Sequence, residues 1–456
     1  MKKNIFIFLL LCINLQLYSQ SQARGSAAIE KIIAPDYNLA KAKLDSCIKY
    51  DHSFYKIPEC IEDFVEMYPD SAYGYYMKGL NYRSWDGEKA FDNLSMALEK
   101  DPTNASIYFE RAKLIYNSKF SFAGGGKPLT DKMPIAISDF KKYGDFDKKN
   151  LIHSYEYLTS IYKDSGDFER SIDYAEKLII VYKELSPDKV YIPYSIKADV
   201  YAAFEMYEKA LEFYDKTIEN DHSCLAYLKK AEFLFENQKF EEVLRTLPDR
   251  CLASIINSEY HFDTYDALYM KSRCLLETDG DLEIAKYYIK KKISYVNKIS
   301  PDTYELEKYY RLSAIINYRL KNYIELLKDL DRLAVVYPEI RSDYNYRVWV
   351  LETKYSLEDY MGCLKEANEL IPSYPNESEL YKYKGLSLYF LNDNFGTIRA
   401  FDKAISISPE DGYLYRIRGL AKYNTNDKYK AHSDWSKAGE FGDYKSYELM
   451  KEYPLN

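Results

Sequence analysis

The chain has 456 residues, too many for one hydrophobic core, so several domains or a repeat array are expected. Hydrophobic residues make up 47% and charged residues 29% of the sequence, which excludes a wholly disordered chain. The net charge of -8 repels phosphate backbones and argues against nucleic-acid binding. Tyrosine is unusually abundant, at 50 residues, and suits a fold in which much of the interior is only half-buried.

The first element in chain order is a targeting signal. Two lysines follow Met1, residues 5–17 are mostly apolar, and residues 18–21 turn small and polar. This layout predicts a secretory signal peptide over residues 1–20, cleaved near Ser19 or Gln20, and therefore a periplasmic or secreted protein. A short membrane anchor is the alternative, but the apolar stretch is about half of the ~20 residues that a spanning helix needs. The remaining sequence predicts no transmembrane segment.

Helical periodicity dominates the rest of the chain, and one pattern recurs in it. Its clearest copy begins at Tyr381, with Gly385 four residues on, then Phe401 and Ala404, and Pro409 at the close. A second copy follows 34 residues later, and another lies near the N-terminus. Their matching residues are Tyr415, Gly419, Ala431, Trp435 and Ala438 in the former, and Tyr75, Gly79, Tyr82, Ala90, Leu94, Ala97 and Pro102 in the latter.

This pattern resembles the tetratricopeptide repeat (TPR), in which W-x2-L-G-x2-Y, A-x3-F and P follow one another within 34 residues. Small residues let the two helices of a hairpin approach closely, and stacking buries the apolar face that one hairpin leaves open. The small-residue position recurs at 79, 112, 159, 198, 231, 272, 313, 351, 385 and 419, and only four of these nine intervals are 33 or 34 residues. The repeats are therefore regular at both ends and irregular between.

The resemblance implies an all-α, right-handed superhelical solenoid of about ten hairpins. We expect a flexible segment over residues 21–36, the repeat array over 37–440 and a capping helix within 441–456.

Six cysteines follow the predicted cleavage point, and none forms Cys-x-x-Cys, so neither a zinc site nor a redox motif is predicted. Cys47 and Cys60 flank a predicted helix turn near residues 52–56 at similar distances. Antiparallel helices could bring them together, and an exported location permits a disulfide. Small buried hydrophobic residues are the competing interpretation for all six cysteines.

Sequence motifs for catalysis are missing. Gly124 to Lys127 resembles a phosphate-binding loop, but Pro128 stands where Ser or Thr is needed. We therefore predict a flexible loop over Asn117–Pro134, which is only a weak candidate for contact with a partner. The five histidines have no metal-ligand spacing, and no Gly-x-Ser-x-Gly elbow occurs. We therefore predict a protein that is not an enzyme, with no catalytic residues, metal site or cofactor.

Candidate binding residues follow from the resemblance, which implies that the first helix of each hairpin lines a concave face that holds the partner. The residues carried over include Tyr and Arg, which are enriched in binding hot spots. They are Tyr76, Arg83, Phe109, Lys113 and Tyr116 near the N-terminus, and Tyr355, Tyr389, Arg416 and Tyr423 near the C-terminus. Packing against a neighbouring helix is the competing interpretation for each.

The predicted function is an exported scaffold that mediates interaction with a protein or peptide. The alternative is a carbohydrate- or envelope-binding accessory factor, because tyrosine-rich faces can stack on sugar rings.

Overall fold

The computed structural model describes residues 37–50, 58–119, 128–257, 266–301 and 303–455, and within these ranges every regular element is helical. The predicted signal peptide and the segment 21–36 lie outside the described residues. The α-helices are α1 Tyr37–Tyr50, α2 Glu59–Met67, α3 Ala72–Tyr82, α4 Gly87–Lys100, α5 Ala105–Asn117, α6 Met133–Phe146, α7 Lys148–Asp164, α8 Phe168–Leu185, α9 Tyr191–Ala203, α10 Tyr207–Asn220, α11 Cys224–Glu236, α12 Phe240–Thr246, α13 Asp249–Asn257, α14 Ala267–Glu277, α15 Leu282–Ile299, α16 Leu306–Arg319, α17 Tyr323–Val336, α18 Tyr344–Ser356, α19 Tyr360–Leu370, α20 Ser378–Phe390, α21 Asn394–Ile407, α22 Gly412–Asn424, α23 Lys428–Glu440 and α24 Lys445–Glu452.

The helices divide into two compact units, one ending at Asp221 and the other beginning at His222. In the described residues, ten pairs of consecutive helices form packed hairpins. The pairs are α3/α4, α5/α6, α7/α8 and α9/α10 in the first unit, and α11/α12, α14/α15, α16/α17, α18/α19, α20/α21 and α22/α23 in the second. The predictions of an all-α solenoid and of TPR-like hairpins are confirmed.

The small-residue position explains how closely the paired helices approach. A Cβ atom added to Gly419 would lie 2.5 Å from Nε1 of Trp435, and one added to Gly385 would lie 2.6 Å from Cε2 of Phe401. A large side chain of the second helix therefore fills the space that the glycine leaves on the first. Where the position is not glycine it is still buried, as at Ala112, which is 0% exposed.

The turn between paired helices is equally regular. Asn392 and Asn426 have positive φ values of 64° and 66°, a conformation that asparagine tolerates better than most residues. An aspartate follows each of them. The carboxylate of Asp393 accepts a hydrogen bond from the backbone N–H of Gly396 at 2.7 Å and caps the second helix.

Some of the tyrosines have a repeated structural role. The hydroxyl of Tyr381 donates a hydrogen bond to the carbonyl oxygen of Pro375 at 3.1 Å, and that of Tyr415 donates to Pro409 at 3.0 Å. Tyr108 makes the same contact with a proline six residues before it. The first helix is thus tied to the turn that precedes it, which a phenylalanine at this position would not do.

Two hairpins share a buried ion pair at equivalent places. The guanidinium of Arg111 donates to both carboxylate oxygens of Asp139 at 2.8 and 2.9 Å, and also to Ser95 of the preceding hairpin at 3.0 Å. Arg418 makes the same bidentate contact with Asp434, at 2.8 and 2.6 Å. In both cases the arginine stands directly before the small residue, so the pair joins the first and second helices beside their closest approach.

The structure departs from the sequence-based expectations in two places. The loop expected over Asn117–Pro134 is only partly a loop, because a 3₁₀ helix spans Thr130–Lys132 and α6 begins at Met133. Leu129 is fully buried, and its N–H donates to the side chain of Ser118 at 2.9 Å, which anchors this end of the loop. The Gly124–Lys127 sequence lies outside the described residues.

The second departure is helix α13, which the repeat pattern did not predict and which separates two hairpins. Cys251 in α13 is joined by a disulfide to Cys224 at the start of α11, a pairing that the sequence analysis did not propose. Residues 258–265, between α13 and α14, lie outside the described ranges. This insertion accounts for part of the irregular spacing in the middle of the array.

The remaining cysteines fall into two groups. Cys47 and Cys60 are joined by a disulfide with their Cα atoms 6.6 Å apart, which ties α1 to α2, while the predicted turn near residues 52–56 is not among the described residues. Cys274 and Cys363 are free thiols and are buried. Burial raises the pKa of the Cys363 thiol to about 11, so this thiol is protonated and unreactive at neutral pH.

No helix in the described ranges is long and apolar enough to cross a membrane.

Candidate functional site

A cleft of about 710 Å³ opens in the first unit. It lies where the turn between α2 and α3 meets the turn between α4 and α5. Its wall includes one of the predicted binding residues, Tyr76. The other lining residues are Tyr37, Lys41, Met67, Tyr68, Pro69, Asp70, Ser71, Ala72, Tyr73, Lys100, Asp101, Asn104 and Ile107.

Polar contacts hold the cleft in shape. The ammonium of Lys100 bonds the carboxylate of Asp70 at 2.7 Å and so bridges the two turns. The hydroxyls of Tyr37 and Ser71 lie 3.0 Å apart and hold α1 against the start of α3. These contacts connect three separate segments of the chain, so the cleft depends on tertiary packing.

Tyrosine rings and ammonium groups give the cleft its chemical character. The ammonium of Lys41 lies 4.2 Å from the ring centroid of Tyr73, whose hydroxyl donates to the carboxylate of Asp45. Burial and the charge of Asp45 raise the pKa of Tyr73, so its hydroxyl remains a donor at neutral pH. Burial raises the pKa of Tyr76 in the same way. Such a site can stack an apolar or aromatic side chain and pair a carboxylate or carbonyl with lysine.

The other N-terminal predicted residues lie on α5 and, for Arg83, directly after α3; these are the first helices of adjacent hairpins. The guanidinium of Arg83 forms a salt bridge with Glu110 at 2.7 Å, which joins the two helices. Lys113 lies 5.7 Å from the ring centroid of Phe109. The structure therefore brings these predicted residues onto one surface, but the charge of Arg83 is already paired.

Phe109 and Tyr116 belong to a ring cluster with residues of α6 and α7. The ring of Phe109 lies 4.8 Å from Tyr143 and 5.8 Å from Tyr157, and Tyr116 lies 5.5 Å from Tyr157. Burial, followed by the nearby charge of Asp164, raises the pKa of Tyr116 to about 12. Both rings are half-buried, so much of each ring's surface packs against neighbouring helices, as the competing interpretation expects.

At the other end, Tyr355 and Tyr389 lie on the first helices of adjacent hairpins. The ring of Tyr355 is 5.5 Å from that of Tyr383 and 6.2 Å from that of Phe390. Tyr389 lies 5.6 Å from Phe390. Burial raises the pKa of Tyr355 to about 12, which keeps its hydroxyl protonated. These two residues face a common aromatic cluster.

Arg416 and Tyr423 contact the chain's own C-terminal segment. Arg416 forms a salt bridge with Asp443 at 2.7 Å. The ring of Tyr423 lies between Trp435, 5.8 Å away, and Tyr453, 5.0 Å away. The segment that includes α24 thus covers part of the surface that was predicted to hold a partner.

Sequence reasoning missed most of the cleft. Lys41 lies on α1, which only half-matches the repeat. Lys100 ends the second helix of its hairpin, and the resemblance does not place second helices on the binding face. The unusual density of tyrosines at residues 68–76 was the one signal available. In the described residues no group of His, Cys, Asp and Glu side chains is placed to hold a metal ion.

No protein-family model matches the sequence, and no curated protein is significantly similar to it. Solved structures with similar helical arrangements were found. MamA from Desulfovibrio magneticus is 17% identical, with 39% of this chain and 95% of that chain covered and a TM-score of 0.34. PilF from Pseudomonas aeruginosa is 16% identical, with 52% and 98% covered and a TM-score of 0.35. A tetratricopeptide repeat protein from Parabacteroides merdae is 15% identical, with 66% and 97% covered and a TM-score of 0.28.

Proposed function

We propose that this chain is an exported scaffold that holds a segment of another protein, with the cleft beside Tyr76 as a principal contact. The observation that carries the proposal is the cleft itself, which combines four tyrosine rings with two lysines in about 710 Å³. Tyrosine supplies a large contact area at low conformational cost, and it is enriched in the hot spots of protein interfaces.

The chemistry of the cleft defines the segment it suits. An apolar or aromatic side chain fits against the rings of Tyr73 and Tyr76, while lysine ammonium groups attract a carboxylate. Asp70 is exposed, and its charge is paired with Lys100, so the cleft is not uniformly basic. We therefore propose a peptide segment that carries an aromatic residue near an acidic one.

Photo-crosslinking in the native host tests this proposal. A photoreactive phenylalanine analogue in place of Tyr76 is expected to crosslink a protease-sensitive partner. The matched control is the same analogue at Tyr304, an 80% exposed tyrosine in the second unit. Equal yields of the same product from both positions, or a product sensitive only to glycosidases, would contradict the proposal; the latter result would favour the carbohydrate-binding alternative.

The partner identified in this way allows a quantitative test. Replacing Tyr76 and Lys41 together with alanine is expected to weaken its binding at least tenfold, about 1.4 kcal/mol, because both the ring contact and the cation are lost. Isothermal titration calorimetry measures the change. Unaltered affinity in a folded double variant would exclude the cleft as the contact.

Export is the second part of the proposal. The basic start and the apolar stretch over residues 5–17 support it, and the two disulfides suit an oxidising compartment. Intact-mass analysis of protein from the native host is expected to show a chain that begins near Ser21, and non-reducing peptide maps should show Cys47 linked to Cys60. A mature chain that still begins at Met1 would refute cleavage. A variant with Leu9 and Leu10 replaced by arginine provides the unprocessed control.

A further inference from the structure

Four consecutive hairpins of the second unit carry an exposed apolar residue at the same place, the second residue of the second helix. These side chains are 60% to 78% exposed. We call them the apolar row: Ile324, Met361, Phe395 and Tyr429.

The earlier hairpins have a different residue type at this position. Five of the six carry an exposed glutamate there, and the sixth carries Pro134. The glutamates are Glu88, Glu169, Glu208, Glu241 and Glu283. A carboxylate in the first turn interacts favourably with the helix dipole, whereas an exposed apolar side chain gains nothing from it. The apolar row is therefore not explained by the stability of its own helices.

Positive charges lie next to the apolar row on the same helix faces. One and two turns further along, the exposed residues are mostly cationic, because positions four apart share a face of a helix. We call these residues the cationic band: Lys328, Arg332, Lys365, Arg399 and Lys403. Lys328 pairs with Glu325 at 2.7 Å, but the other four form no salt bridge with any described residue. In earlier hairpins the position one turn along is often acidic, as at Asp92, Asp173 and Glu212.

Contacts between neighbouring hairpins join the start of a second helix to the end of the first helix that follows it. The ring of Tyr360, beside Met361, stacks on Phe390 of the next hairpin at 4.6 Å. At the following boundary, Asn424 donates to the side chain of Asn394, beside Phe395, at 3.3 Å. Consecutive second helices therefore present their first turns along one edge of the unit. Exposed apolar residues repeated at one place along such an edge mark an interaction site.

Carboxylates at the same edge decide between two kinds of partner. Glu358, Asp359 and Asp393 are exposed and lie two or three positions before a residue of the row. Asp359 is held in place by its hydrogen bond from the N–H of Gly362 at 2.8 Å. An anionic membrane that received the apolar row would bring its phosphates against these carboxylates. A protein surface can instead direct its acidic side chains toward the cationic band alone.

We propose that the apolar row and the cationic band together dock an acidic amphipathic helix of a partner protein. Such a helix presents apolar and acidic stripes on adjoining faces, which match the row and the band. This surface belongs to the second helices of the second unit, so it is separate from the cleft in the first unit, and either proposal can fail alone.

The test uses the full-length mature protein and a synthetic fluorescent helix with a leucine stripe beside a glutamate stripe. Fluorescence anisotropy is expected to show saturable binding that weakens as salt rises. Replacing both Met361 and Phe395 with glutamate should reduce the affinity at least tenfold, as should replacing both Lys365 and Arg399 with glutamate. Glutamate stands at the equivalent position of five other hairpins, so the first variant is expected to fold. Ile180→Glu, at a 65% exposed residue of α8, is the matched control and should bind as the wild type does.

Several outcomes would overturn the proposal. A scrambled peptide of the same composition is expected to bind only weakly; equal binding would show that the recognition is not that of an amphipathic helix. Unchanged affinity of the Met361→Glu, Phe395→Glu variant would exclude the row. Vesicles rich in phosphatidylglycerol that bind the protein through Phe395, without peptide binding, would assign the surface to a membrane. A dimer in analytical ultracentrifugation that the same variant dissociates would assign it to a second copy of this chain.

Discussion

Replacing Trp435 with alanine is expected to reduce the free energy of unfolding by about 3–5 kcal/mol, the range for removing a large aromatic side chain from a core. Trp435 is fully buried and lies over Gly419, the closest approach of the two helices of the last hairpin. Its indole N–H also donates to the carbonyl oxygen of Arg416 at 3.2 Å. The variant therefore loses packing and the hydrogen bond of the indole.

The damage is expected to be local, because each repeat is stabilised chiefly by its neighbours. Hydrogen exchange followed by mass spectrometry should show loss of protection in α22, α23 and α24, with the first unit unaffected. Trp349→Ala provides the matched control. That ring is only half-buried and stacks on Tyr318 at 5.8 Å, so its removal should cost much less. A loss below about 1 kcal/mol for Trp435→Ala would contradict the packing described.

The second large effect is expected at the buried ion pair of the first unit. Arg111→Met leaves the carboxylate of Asp139, which is 4% exposed, without its cation. Breaking one side of a buried pair typically costs about 3–5 kcal/mol, because the remaining charge stays buried. Replacing both partners, as Arg111→Met with Asp139→Leu, is expected to recover most of this loss. Urea unfolding of the two single variants and the double variant measures the cycle.

The pH dependence of this loss has a definite sign. Burial already raises the pKa of Asp139 above its ordinary value against the opposing effect of Arg111, and removing Arg111 raises it further. A carboxyl group with a raised pKa binds more protons in the folded state than in the unfolded state, so its contribution to stability falls as pH rises through that pKa. The loss caused by Arg111→Met should be largest at neutral pH and shrink toward about pH 4. A loss that stays constant across this range would contradict the assignment to Asp139. So would the same pH-dependent loss in the double variant Arg111→Met, Asp139→Asn, which has no carboxyl group at this position.

The described surface also suggests how the two proposed contacts relate to the repeat. Core positions keep the hairpins together, and they stay buried along the array even where the residue type changes, as from Gly419 to Leu351. The outer positions vary freely, from glutamate at Glu169 to phenylalanine at Phe395, because nothing in the fold constrains an exposed second residue of a helix. Function is therefore expected where these unconstrained positions depart from the residues that the helix itself favours.

The hairpins themselves were readable from the amino-acid sequence. Gly79, Gly385 and Gly419 mark places where two backbones approach, and each pairs with a bulky residue 15 or 16 positions later. Such contacts lie within one hairpin, so their spacing survives in the sequence. The positions of the predicted Tyr76 and Phe109 on first helices followed from the same spacing.

Tertiary structure alone decided the features that depend on residues far apart in the chain. The cleft is formed by α1 and two inter-hairpin turns, and Lys100 reaches Asp70 across 30 positions. The disulfide between Cys224 and Cys251 depends on α13, for which the repeat has no counterpart. Arg416 and Tyr423 occupy the positions that the repeat assigns to binding, yet they contact Asp443 and Tyr453. Helical periodicity records which face of a helix is buried, but it does not record what covers that face.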